Sequence, residues 1–178
     1  MAPRCARLPF CCHGPAAQPC SLCGLPPSLD SESMAASSLL DEYRYRSLEH
    51  LEASASGELR LLIASGHVAD QPEGADGLPG RPVRFDEDSA WFEVSFVSFF
   101  AFRVRPEFLV APEPEDVAEG GALERFTRST YRRSLLGDDP ELMPNVTHFG
   151  VYCDFHVVDV LSESQPEVVR VPPRPSAA

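Results

Sequence analysis

The densest set of reactive side chains in the chain is His148, Cys153, Asp154, His156 and Asp159. Imidazole, thiolate and carboxylate are all metal ligands, and a Cys close to a His can be an activated nucleophile. The stretch 148–161 reads as two short strands around Cys153-Asp154-Phe155-His156, with Val151, Val157, Val158 and Val160 as β-formers. Strand residues an odd number apart face opposite sides. Cys153 and His156 therefore converge only if a turn lies between them, and His148 and Cys153 should point opposite ways. Spacing alone does not assemble a site. The plain reading is a hairpin tip with a buried Cys and polar residues facing water. Cys153 and His156 stand as the catalytic candidates of an alternative reading, an enzyme or metalloprotein.

A second set lies near the other end. Five of the six cysteines are Cys5, Cys11, Cys12, Cys20 and Cys23. Cys20 and Cys23 form a CxxC pair and are the candidate metal ligands, with Cys11, Cys12 and His13 as possible companions. A tetrahedral thiolate site needs two such knuckles with enough chain between them to fold back, and here the spacer is only 13–19. The favoured reading is a disordered leader, or a start assigned too early, with the folded protein beginning at Met34. Prolines interrupt every apolar run in 1–33, so it offers no periodic face to bury and no signal-peptide core. A chain starting at Met34 is expected to fold like the full one. No metal or cofactor is assigned.

The third set is arginine. Arg103 and Arg105 end a long apolar run, and Arg128, Arg132 and Arg133 follow on the next patterned segment. Together they could hold an acidic partner or a phosphate. In an acidic chain they more often pair with local Asp and Glu, which is the favoured reading. Asn145-Val-Thr147 matches a glycosylation sequon but carries no weight without a secretion signal. There is no Walker A loop, no GxSxG elbow, no HExxH and no dinucleotide fingerprint.

These side chains need a scaffold, and composition bounds it. The chain has 178 residues with formal net charge −12; its basic residues are all Arg. Residues 1–33 hold two Arg and two acids, so the whole excess belongs to 34–178. Such a charge argues against nucleic-acid and anionic-membrane binding. No apolar stretch approaches the ~20 residues of a membrane-spanning helix. The predicted organisation is a leader over 1–33, one domain over 34–162, and a disordered tail over 163–178, in which Val168–Val171 could add a short edge strand.

Within the domain, 43–52 and 58–65 read as a hairpin about Ala53-Ser-Ala-Ser-Gly57. Residues 69–84, rich in Pro and Gly, read as a loop. The strongest signal is 91–105, where Phe92, Val94, Phe96, Phe100, Phe102 and Val104 alternate with a mixed face. That is a long strand, and its length predicts a bend near Ser98. Leu123, Phe126, Thr130, Tyr131, Ser134 and Leu135 sit at helical spacing, with Glu124 in the first turn, Arg132 and Arg133 in the last, and Gly137 after it. The expected fold is α+β: a mainly antiparallel sheet with one amphipathic helix packed on one face.

The run Thr147-His-Phe-Gly-Val-Tyr-Cys-Asp-Phe-His-Val-Val-Asp-Val-Leu161, with Pro166-Glu167 beyond it, resembles the C-terminal signature of a family of small uncharacterised bacterial proteins. In these a Cys-x-x-His-Val-Val-Asp-Val hairpin precedes a Pro-Glu. Phe102-Arg-Val-Arg105 and Phe126-Thr-Arg-Ser-Thr-Tyr131 fall where similar pieces fall in that group. This chain has Cys-Asp-Phe-His where the group carries an Asn before the His. The resemblance implies architecture and a bacterial, cytoplasmic setting, but no reaction.

The function expected from these features is that of a small acidic cytosolic protein, non-enzymatic, acting through contact with another protein or a second protomer, as an accessory or immunity-type factor. Trp91, Val97 and Phe99 support it. They lie opposite the main core face of the long strand and require a cover.

Overall fold

Strands of alternating apolar and polar residues bury one face, and two such faces must meet to make a core. The computed structural model of the chain describes residues 39–70, 80–109, 113–139 and 141–173. Ten strands fall in them: β1 (Tyr45–Ala53), β2 (Leu59–Val68), β3 (Val83–Arg84), β4 (Trp91–Phe96), β5 (Phe99–Pro106), β6 (Val117–Gly120), β7 (Leu123–Arg128), β8 (Thr147–Tyr152), β9 (His156–Ser162) and β10 (Glu167–Val171). One helix of more than a single turn, α1 (Thr130–Leu136), accompanies them. The first sheet runs β1-β2-β4-β10 with β3 beside β2, and the second runs β5-β9-β8-β7-β6. Every pairing is antiparallel.

The long apolar run does break at Val97-Ser98, and the break has a topological purpose. β4 pairs with β10 in one sheet, while β5 pairs with β9 in the other. One two-stranded ribbon thus crosses between the sheets. Its corner is held by the Ser98 carbonyl, which accepts from the Glu163 N–H at 3.2 Å and the Ser162 hydroxyl at 2.8 Å. The Phe99 N–H adds a bond to the Gly57 carbonyl at 3.0 Å. Residues 167–171, assigned to the tail by pattern except for a short edge strand, are that ribbon's end, with Val168 in the core.

The core lies between the sheets. Leu59, Leu61, Ile63, Phe92, Val94 and Phe96 of the first face Leu123, Phe149, Val151, Val158 and Val160 of the second. Each such side chain contributes ~1.5–3 kcal/mol on burial. Trp91 and Phe99, expected to need a cover for which a partner is one candidate, are covered at least in part by the chain itself. Trp91 packs with Leu62, Ala64, Phe85 and Val171 on the outside of the first sheet, and Phe99 meets Phe102 edge-on in the core. Val97, at the corner, is exposed.

The expected α+β fold is overturned. The molecule is mainly β, and only the second half of the predicted amphipathic helix over 123–135 is helical; its first half, Leu123–Arg128, is a strand. Leu123–Arg128 has a partner strand on each side, β6 and β8, and ladder pairing overrides a marginal helical stripe. Ser129 then starts the helix late. Its backbone is extended (φ −143°) and its hydroxyl accepts the Arg132 N–H, an N-cap. The C-terminal signals do hold: Gly137, at φ 76°, gives its N–H to the Arg133 carbonyl at 2.8 Å. Starting at Thr130 shifts the phase, so Leu136 is buried and Leu135 exposed.

Candidate functional site

β9 is buried along most of its length, on both faces. Its Val158 and Val160 enter the core, so Val157, Asp159 and Leu161 must be covered on the other side. α1 supplies part of that cover: Tyr131 and Leu136 pack with Val146 and Leu161. Asp159, with no exposed side chain, is the charge left beneath this layer. A buried carboxylate demands partners.

Register delivers them. Arg103 on β5 stands opposite Asp159, with Arg105 two residues along on the same face. Arg103 Nε donates to Asp159 Oδ2 at 2.8 Å. Arg105 Nε donates to the same oxygen at 2.6 Å, and Arg105 Nη2 to Oδ1 at 3.0 Å. From β8, His148 Nε2 lies 3.1 Å from Oδ1. Burial works to raise the Asp159 pKa, but the hydrogen bonds from His148, Arg105 and Arg103 outweigh it and hold the carboxyl at about 2.

The network extends to the helix start. Ser129 Oγ lies 2.8 Å from His148 Nδ1. With Nε2–H donating to Asp159, Nδ1 accepts the Ser129 hydroxyl proton. The His148 ring stacks on Phe126 with centroids 4.0 Å apart and meets Tyr131 edge-on. Tyr131 in turn lies beneath the Arg103 guanidinium, 4.0 Å from centroid to Cζ. Gly150 leaves room for this packing, since a Cβ there would stand 3.0–3.1 Å from the Tyr152 and Phe126 rings. Tyr152 is pushed above its ordinary pKa by burial and by its hydrogen bond with Glu124.

Ser129, His148 and Asp159 are connected in the order of nucleophile, base and orienting acid. The surroundings give them a different task. His148 is 1% exposed, Asp159 is already committed to two guanidinium groups, and the Ser129 oxygen caps α1. A hollow of about 190 Å³ at the β1–β2 turn, lined by Glu52, Ser54, Glu58 and Arg60, involves none of them. The triad-like chain fastens the helix to β8, β9 and β5.

The sequence candidates separate accordingly. His148 and Asp159 come together across the β8–β9 hairpin. Cys153 does not join them: it faces the core, 4% exposed, and burial pushes its thiol up to about 12. That is an inert thiol rather than a nucleophile. His156 meets Cys153 through the backbone, its carbonyl accepting the Cys153 N–H at 2.8 Å to close the hairpin. Asp154 accepts the Arg46 N–H at 3.2 Å and ties the same turn to β1. Cys20 and Cys23 lie outside the described residues. Among the described residues, no three of His, Cys, Asp and Glu are grouped so as to hold a metal ion. Arg133 pairs with Glu115 and Arg132 binds backbone carbonyls, including that of Val146 at 2.9 Å. Pattern reading missed Ser129 and Tyr131 as members. The available signal for a helix beginning at 130 was Ser129 itself, an N-cap residue type standing eight positions before Gly137.

Comparison of the chain with protein-family models, curated proteins and solved structures found no match. No helix among the described residues is long and apolar enough to cross a membrane.

Proposed function

We propose that the protein works by contact with another protein, as an accessory or immunity-type factor in the cytoplasm, and not by catalysis. Chemistry needs reactive groups that a substrate can reach. Here Cys153, His148 and Asp159 are all buried. The observation that carries the reading is where exposed apolar surface collects. Phe108 is 79% exposed, Leu109 69% and Phe155 64%. Their segments meet: the Glu107 N–H binds the Phe155 carbonyl at 3.0 Å, joining the 3₁₀ turn Glu107–Leu109 to the β8–β9 turn. Exposed aromatic side chains grouped in this way are the usual anchors of protein interfaces. The resemblance of 147–161 to a bacterial hairpin signature supports the bacterial, cytoplasmic setting of this reading.

The test is capture from a lysate of the source organism with the wild-type chain and with F108S/F155S. Both substitutions lie on exposed positions, so stability should change by less than about 0.5 kcal/mol. A protein retained by the wild type and lost by the variant is expected. A sedimentation series at micromolar concentration covers the second-protomer case. A strict monomer that retains nothing the variant does not also retain overturns the proposal.

A further inference from the structure

Two guanidinium groups held on one carboxylate leave a charge imbalance. Arg103 and Arg105 bring two positive charges to Asp159, which returns one negative charge. The nearest further carboxylate on this face, Glu124, is engaged by Tyr152, so the two guanidinium groups themselves are one anion short, in a chain that is otherwise strongly acidic. The donors are short of acceptors too. Arg103 uses Nε on Asp159, and Arg105 uses Nε and Nη2. No hydrogen bond among the described residues takes Arg103 Nη1 or Nη2, or Arg105 Nη1. These atoms are not sealed in, because Trp91 Nε1 is the one buried side-chain polar atom without a partner among the described residues. The two side chains are 40% and 27% exposed above an Asp159 that is fully buried.

We infer that Arg103 and Arg105 form a binding site for a carboxylate, presented by an acidic side chain or chain end of the partner. This rests on the protein-contact reading only for the carrier of the carboxylate, not for the site. Asp159 is a positioning residue. It draws both Nε atoms to one oxygen, and Tyr131 supports the plane of Arg103, so the open N–H edges are fixed before a ligand arrives. Fixed planar forks suit a planar two-oxygen anion, and little side-chain entropy remains to be lost. A carboxylate brings the single charge that the cluster lacks. A phosphate dianion would leave a net negative charge in an already acidic protein.

The test follows the arginine Nε–Hε signals of the full chain by NMR during titration with acetate, inorganic phosphate and chloride at constant ionic strength. Acetate should shift Arg103 and Arg105 saturably and leave Arg60 and Arg133, which sit in exposed ion pairs, unmoved. R103K/R105K keeps the charge and loses the forks, and should weaken acetate binding by about tenfold or more. If that variant does not fold, the wild-type titration decides alone. Tighter binding of phosphate than of acetate overturns the carboxylate assignment. Shifts common to all arginines, or equal for acetate and chloride, overturn the site. F108S/F155S should titrate like the wild type, so loss of this site and loss of the apolar contact are told apart.

Discussion

The two sheets contribute alike to the core between them and differ in what covers their outer faces. On the first sheet the buried part of the outer face is apolar: Leu62, Ala64 and Trp91 pack with Phe85 and Val171, and the ion pair on that face, Arg60 with Glu58, is exposed. The second is covered by an ionic network, in which Asp159, Arg103, Arg105 and His148 lie beside Tyr131 of α1. Apolar cover is insensitive to pH and tolerant of rearrangement. In an ionic cover the buried members depend on one another, and removing one strands the others. The outer layer of the second sheet should therefore be the more specific and the more fragile of the two.

The largest effects should come from the centre of each region. Phe96→Ala empties a fully buried site in the first sheet and should cost ~3–5 kcal/mol. Asp159→Leu should cost less, ~2–3 kcal/mol, because the two guanidinium groups left without their anion are partly exposed and can hydrate. Rescue separates the two. Adding R103M and R105L to Asp159→Leu should recover most of the loss, because a matched apolar set replaces the charges. The same pair added to Phe96→Ala should recover nothing. Denaturant unfolding of the five chains measures this. If Asp159→Leu alone were harmless, the network would not be what holds the second cover in place.

The next effect is a pH dependence confined to the second sheet. The folded-state pKa of Asp159 is about 2, below the 3.8 of an ordinary Asp. A depressed carboxyl contributes stability in full above its unfolded pKa and loses it as pH falls through the folded one. The contribution should be about 2 kcal/mol above pH ~4 and vanish near pH ~2. Asp159→Asn should remove this part of the acid-dependent loss, whereas Phe96→Ala should keep it. Unfolding free energies at several pH values between 2 and 5 give the comparison. Equal acid slopes in wild type and Asp159→Asn would assign the effect to other carboxylates.

How far each region could be read in advance follows the same division. The first sheet was legible because period-2 patterning and a Gly-bearing turn specify β1, β2 and β4 locally, and the length of 91–105 announced the corner at Ser98. The β8–β9 hairpin was legible for the same reason. Leu123–Arg128 was not, because its six residues fit either period and only the strands on its two sides decide between them. The site was half legible. His148 and Asp159 stood in the reactive cluster, but strand parity separates them from Cys153, and nothing local reveals that β5 brings Arg103 opposite Asp159. That contact spans 56 positions of sequence. Ionic networks built from register across several strands leave no spacing to find.

The smallest of these effects tests the junction between strand and helix. Ser129 does two things with one oxygen: it accepts the Arg132 N–H at 2.9 Å and contacts His148 Nδ1 at 2.8 Å. Ser129→Ala should cost about 1 kcal/mol from the cap, with a further contribution from the acceptor left unpaired on a buried imidazole. Ser129→Asp keeps a capping oxygen but cannot give a proton to Nδ1, so it separates the two roles. It should retain the capping contribution at neutral pH while placing a second carboxylate near His148. If the hydroxyl were a nucleophile activated by His148, Ser129→Ala would also abolish the wild type's turnover of an activated ester. The arrangement predicts a measurable loss of stability with ester hydrolysis by the wild type no faster than by the variant. Fluorescence-monitored unfolding and a nitrophenyl acetate assay on the same preparations supply both numbers.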